Sequence, residues 1–326
     1  MKSTRVLSLI TSAMLAAVVP LFTVGTAHAT YAGKNGRIAF VSNLSGTYQL
    51  YTINPDGSDM RQITNLPPTG NALWFPDYSP DGRKIVFSHD MTGALEMYVI
   101  NADGTALTQI THDGLVDLFA RSSPDGQRFV FLSISLKNGA GVITTMRTNG
   151  TDRVVLTDDI PYDSIQPEYT PDGKQIVFTS QAGGLVSALW IMDADGSHKR
   201  RLTEPRFEAG GPAISPDGKR LAFYTAQDTP KPADVWVMNV DGSGLQRLIP
   251  KALYPIFSPE GSKLVFTKGT LAGGGPINLY TMNADGTHVK KVATDLIVGG
   301  CLDGNCLTPD WGAQPSETED GENQRG

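Results

Sequence analysis

Ser79-Pro80-Asp81-Gly82, followed closely by Ile85-Val86-Phe87, decides the fold, because the same motif returns four more times. The later copies are Ser123-Pro124-Asp125-Gly126 with Phe129-Val130-Phe131, Thr170-Pro171-Asp172-Gly173 with Ile176-Val177-Phe178, Ser215-Pro216-Asp217-Gly218 with Leu221-Ala222-Phe223, and Ser258-Pro259-Glu260-Gly261 with Leu264-Val265-Phe266. Successive copies start 44, 47, 45 and 43 residues apart. A shortened copy, Lys34-Asn35-Gly36-Arg37-Ile38-Ala39-Phe40, precedes them. The motif carries turn chemistry: Pro presets φ, Asp tolerates the next position, and Gly accepts the positive φ that closes the turn. The apolar run behind it does not alternate, which marks a strand buried on both faces.

A second turn recurs six times, at Asp56-Gly57, Asp103-Gly104, Asn149-Gly150, Asp195-Gly196, Asp241-Gly242 and Asp285-Gly286. Asp-Gly or Asn-Gly between apolar runs is a strong hairpin signal. Each unit therefore holds four strands: a before the Ser-Pro-Asp-Gly turn, b after it, c before Asp-Gly, and d after that. Four strands repeating every ~45 residues make a propeller blade. The N-terminal unit lacks strand a, whereas the C-terminus has a spare one, Leu307 to Trp311, resembling Phe75-Pro76-Asp77-Tyr78. Pairing the two closes the ring and removes an open edge. The expected fold is all-β, a six-bladed propeller over residues 30–312, with residues 313–326 as a disordered acidic tail.

The N-terminus reads as a signal peptide over residues 1–29. Lys2 and Arg5 precede an apolar run, and Ala27-His28-Ala29 supplies the small-x-small cleavage pattern. The alternative, a retained membrane anchor, is disfavoured by Pro20 within the run and by the cleavage pattern directly after it. Export to the periplasm or the exterior is expected. The full chain has 27 basic and 33 acidic residues; without residues 1–29 the balance is 25 to 33. That acidity argues against nucleic acid or an anionic membrane as partner. Cys301 and Cys306 are the two cysteines, and in an oxidising compartment they are expected to form a disulfide.

The motif, with Leu279-Tyr280-Thr281-Met282-Asn283-Ala284-Asp285-Gly286, resembles the WD40-like repeat called PD40, which builds the propellers of TolB-like proteins. The resemblance runs over nearly all of residues 34–311. It implies an exported propeller whose loop faces bind a partner, expected to be protein. TolB-like proteins also carry an α/β domain before the propeller, whereas here only Thr30 to Gly33 separate the expected cleavage site from the first strand motif. A role in the Tol–Pal system is therefore not carried over, and fold alone does not fix function.

No catalytic constellation is legible: there is neither a GxSxG elbow nor an HExxH helix. The repeated Asp-Gly pairs are turns. His89 ends a b strand and His112 opens the loop into the next blade, so both are expected on one face of the ring, where a His pair can bind a metal or exchange protons. That is the basis of the alternative function, a lyase or hydrolase acting on a sugar or acidic substrate at the channel mouth. Tyr51, Tyr98, Trp190, Trp236 and Tyr280 share one position in strand c, and packing between blades is a better reading of them than sugar stacking. The third blade departs, with Thr144 there and Arg147 where others carry Asn or Asp.

One further position matters. Two residues before each Ser/Thr-Pro pair stand Asp77, Arg121, Glu168, Ala213 and Ile256, with Asp310 from the closing strand. Equivalent positions in innermost strands share one level around the axis, so Arg121 is expected between Asp77 and Glu168. The readings are solvated side chains in a wet channel, an ion-paired cluster fixing the blades, or a site for calcium or a basic ligand group, since carboxylates outnumber Arg121. No other cofactor is implied. The chain is expected to be a monomer that binds an unidentified protein or peptide.

Overall fold

A computed structural model describes residues 31–67, 73–134, 139, 141–160, 163–181, 187–204, 207–225, 233–269, 277–297 and 308–315. Residues 1–29, Cys301, Cys306 and Leu307 lie outside them, and so do the expectations of a signal peptide and a disulfide.

Among the described residues, twenty-four strands form six four-stranded antiparallel sheets. Blade 1 contains β1 (Asn35–Ser42), β2 (Gln49–Ile53) and β3 (Arg61–Gln62). Blade 2 is β4 (Leu73–Tyr78), β5 (Lys84–His89), β6 (Glu96–Asn101) and β7 (Thr108–Gln109). Blade 3 is β8 (Asp117–Ser122), β9 (Arg128–Ile134), β10 (Gly141–Arg147) and β11 (Val154–Val155). Blade 4 is β12 (Ser164–Tyr169), β13 (Gln175–Ser180), β14 (Ala188–Asp193) and β15 (Arg200–Arg201). Blade 5 is β16 (Ala209–Ile214), β17 (Arg220–Thr225), β18 (Asp234–Asn239) and β19 (Gln246–Ile249). Blade 6 is β20 (Leu253–Phe257), β21 (Lys263–Gly269), β22 (Ile277–Asn283) and β23 (Lys290–Ile297). The last strand, β24 (Asp310–Ala313), returns to complete blade 1. The chain is a six-bladed, all-β propeller.

β24 pairs with β1 through Ala39↔Asp310, Ile38↔Trp311 and Asn35↔Ala313. The Trp311 indole donates to the carbonyl of Gly36 at 3.2 Å, and Gln314 N donates to Lys34 O at 2.9 Å. This corrects the sequence reading, which ended the strand at Trp311 and assigned Gly312 and Ala313 to the end of the domain and the tail. Gly312 lies flat on the Tyr78 ring, where a Cβ would stand 2.6 Å from ring atoms. A glycine stands here because blade 2 approaches so closely.

The two turns do more than reverse the chain. Both lie on one face of the ring, the turn face, and both touch the preceding blade. Gly104 has φ of 90°, and a Cβ there would stand 2.8 Å from Ile63 O of blade 1. Gly126 packs on the Pro80 ring of blade 2. The turn acids are occupied within their own turns: Ser79 Oγ donates to Asp81 Oδ1 and Ser58 Oγ to Asp56 Oδ1, each at 2.6 Å. The same pairing recurs at Asp103, Asp125, Asp217 and Asp241.

Among the described residues, buried apolar side chains form eight clusters that each join consecutive blades. Ile85 and Phe87 pack toward blade 1 while Val86 packs toward blade 3, so the b strand is apolar on both sides. The strand c aromatics join these clusters, Tyr51 with side chains of blade 6 and Tyr98 with those of blade 1, and each also stacks within its own blade, on Phe40 and Phe87, with centroids 5.9 Å apart.

Trp311 is buried within the core shared with blade 6. Ending the chain at residue 309 removes that side chain and a whole strand, so it should cost at least about 3 kcal/mol and lower the melting temperature of the entire ring. Ending it at residue 315 should change little. Equal melting temperatures for the two truncations would contradict closure by β24.

Candidate functional site: the axial channel

Five of the six innermost strands carry a left-handed residue at the same place: Phe75, Phe119, Gln166, Gly211 and Tyr254, with φ between 50° and 58°. Each sits at a break in register, a β-bulge, between strands a and b. Proline follows in four of these blades (Pro76, Pro167, Pro212 and Pro255), which is tolerated because the innermost strand is an edge with no partner across the axis. The bulges stack two tiers of side chains along the axis. One tier holds Phe75, Phe119, Gln166, Gly211, Tyr254 and Thr308, around a cavity of about 30 Å³. The other, nearer the turn face, holds Asp77, Arg121, Glu168, Ile256 and Asp310 around a cavity of about 10 Å³.

In the second tier Arg121 Nη1 lies 3.4 Å from Asp77 Oδ1, and Nε lies 3.2 Å from Glu168 Oε2. Nη1 also donates to Pro76 O at 3.2 Å. Asp77 Oδ2 accepts from Ser122 N at 2.9 Å and Ser122 Oγ at 3.1 Å. Asp310 Oδ2 accepts from Tyr78 N at 2.8 Å. All three carboxyls are buried, which removes the reading of a wide, wet channel. Burial raises Asp77 to about 7, helped by Asp310 and opposed by Arg121. Burial raises Glu168 to about 8, against the pull of Arg121. Asp310 is also raised, by burial. Burial works against the Arg121 charge, but Asp77, Glu168 and Asp310 together outweigh it and raise its pKa. One guanidinium among three carboxyls therefore keeps its charge, while Asp77 and Glu168 exchange protons near neutrality.

Tyr31 was not singled out by sequence. Its hydroxyl donates to Ser122 O at 3.0 Å, and its side chain lines the smaller cavity. The segment has no counterpart in the repeat, so periodicity gave no signal for it.

His89 is buried, its Nδ1 lying 3.5 Å from Asp90 Oδ1, and burial lowers its pKa. His112 is exposed on the loop after β7. No hydrogen bond or ion pair joins the two among the described residues. Carboxylate oxygens of Glu96, Asp113 and Asp117 do converge nearby, within 4.8 Å of one another. Arg153 pairs with both aspartates, at 2.7 Å to Asp117, and Thr111 donates to Glu96. Burial raises Asp117 to about 6, against Arg153. The arrangement repeats the axial theme of one Arg among three carboxyls, and a cation is already there.

The family model described as PD40, TolB beta propeller domain, matches residues 16–210 and 70–248. The chain belongs to this family. Among curated relatives, an uncharacterised protein of Agrobacterium fabrum is 27% identical over 203 residues, covering 60% of this chain and 66% of that protein. The Tol-Pal system protein TolB of Anaeromyxobacter dehalogenans is 32% identical over 117 residues, covering 35% of this chain and 26% of that protein. The chain thus spans less than two thirds of these relatives. Among solved structures, TolB from Acinetobacter baumannii superposes with a TM-score of 0.72 at 25% identity, covering 86% of this chain and 67% of that one. An oligogalacturonate lyase from Vibrio parahaemolyticus superposes at 0.58 and 15% identity, covering 86% of this chain and 81% of that one, a likeness of fold alone.

The raised carboxyls set a pH dependence. Asp77 and Glu168 hold protons more tightly folded than unfolded, so their contribution is complete below about pH 4 and is lost as pH rises through about 7 and 8. Their share of stability should therefore be larger at pH 5 than at pH 8. Arg121→Met should cost about 3 kcal/mol at pH 8, where it leaves buried carboxylates facing each other, and clearly less at pH 5. Denaturant titrations at both pH values measure this; an equal cost would contradict the cluster.

Proposed function

We propose that this PD40 propeller is an exported protein-binding module that takes an extended segment of its partner across the turn face. The observation carrying this reading is where space is found. The two axial cavities, about 30 and 10 Å³, suit water or the tip of one side chain, whereas small-molecule pockets run to roughly 300–1,000 Å³. Two open grooves on the turn face are far larger. One, about 590 Å³, runs between blades 2 and 3 past Pro80, Lys84, Val99, Thr108 and Gln127. The other, about 530 Å³, runs between blades 1 and 2 past Arg37, Pro55, Gly82 and Pro315. They flank the Ser79–Gly82 turn and offer side-chain, proline and backbone groups suited to a peptide. The leader-like N-terminus and the likeness to a Tol-Pal system protein support export and a protein partner.

The test immobilises the full secreted chain and exposes it to a cell-envelope extract of its source. Thr108→Trp and Gln127→Trp, which fill the groove between blades 2 and 3, should abolish capture of whatever wild type retains. Leu44→Trp, exposed on the opposite face, should leave it intact. Loss with Leu44→Trp and retention with the groove variants would overturn the turn-face assignment.

A further inference from the structure

Among the described residues, Tyr31 lies at the turn-face end of the axis, against the smaller cavity. Tyr31 shares the lining of that cavity with Asp77, Glu168, Asp310, Ile256 and Trp311, and donates to Ser122 O. The residues that follow it, Ala32, Gly33 and Lys34, are exposed, and β1 begins only at Asn35. Gly33 N donates to Pro259 O at 3.3 Å. Tyr31 to Gly33 can therefore withdraw at the cost of the Gly33 N–Pro259 O and Tyr31–Ser122 hydrogen bonds, while Lys34 stays held to the closing strand by Gln314 N.

The slot is specific in its chemistry. Ile256 and Trp311 supply apolar contact. Ser122 O is an acceptor at the far end, so the slot favours a ring carrying a donor there. The neighbouring acids, after burial itself, push the Tyr31 hydroxyl far above its ordinary pKa, so it remains a donor across the physiological range.

We propose that this slot is a phenol-recognition site, filled in cis by Tyr31 and able to take a tyrosine side chain of an extended segment in trans once Tyr31 withdraws. A partner bearing such a tyrosine at the turn face would enter by displacing the chain's own N-terminal lead. The slot lies on the axis and shares only Ser122 with the groove between blades 2 and 3, and its test needs no natural partner, so it stands or falls separately from the groove reading.

The test uses the full chain with Tyr31→Ala, and two probes: 4-methylphenol and the peptide Thr-Tyr-Ala-Gly-Lys, which copies residues 30–34. Tyr31→Ala should melt a few degrees below wild type. Millimolar 4-methylphenol should raise its melting temperature in a dose-dependent way and leave wild type unchanged, and toluene should do less. The peptide should bind the variant, and its Tyr→Phe version should bind roughly three- to tenfold more weakly for want of the donor. Should the variant fail to fold, hydrogen exchange on wild type serves: excess peptide should speed exchange at residues 31–34 and nowhere else. Equal effects of 4-methylphenol on variant and wild type, no rescue of a folded variant, or unaltered exchange in wild type would overturn the proposal.

Discussion

Everything in this ring depends on one non-local pairing, that of β24 with β1. A propeller blade buries both faces of its sheet against neighbours, so an incomplete blade leaves two interfaces short of a wall. β24 supplies the missing inner strand, places Trp311 in the core shared with blade 6, and sets Gly312 against Tyr78 of blade 2. It also delivers Asp310 to the axis, where that carboxyl accepts from Tyr78 N beside Asp77. Without the last strand, the ionic tier would have a gap in its wall and one acid fewer.

The axial tier shows how charge is handled where six edge strands meet. Burying ions is costly, and a buried pair lasts only when hydrogen bonds satisfy the remaining lone pairs. Here the backbone helps: Ser122 N, Tyr78 N and Pro76 O each pair with a tier side chain. Three carboxyls still exceed what one guanidinium neutralises, so their pKa values rise. The tier's ion pairs link side chains of blades 2, 3 and 4 and leave an electrostatic imbalance that protons relieve. Arg153, with Asp113 and Asp117, makes a second cluster at the junction of blades 2 and 3.

The blade architecture was legible because each turn advertises itself: Pro, Asp and Gly at fixed spacing have few structural meanings. The level shared by Asp77, Arg121, Glu168 and Asp310 was legible for the same reason, since equivalent positions in a repeat are equivalent in space. Burial of that tier was not, because charged residues in a wide channel and in a filled one read alike. The bulges were hidden too: Phe75, Phe119, Gln166 and Tyr254 are not residue types that announce a positive φ. Tyr31 lay outside the repeat. Ala313 was assigned to the tail because Gly312, placed for a close approach to Tyr78, carries no strand signal of its own.

Native-state hydrogen exchange tests the central claim, that β24–β1 pairing is the lock on the whole ring. The ladder amides of Ile38, Ala39 and Trp311 should open only with global unfolding, at the same free energy as central-strand amides such as Phe178 in blade 4. Exchange of those closing-strand amides through an opening several kcal/mol cheaper, with blade 4 still protected, would contradict it.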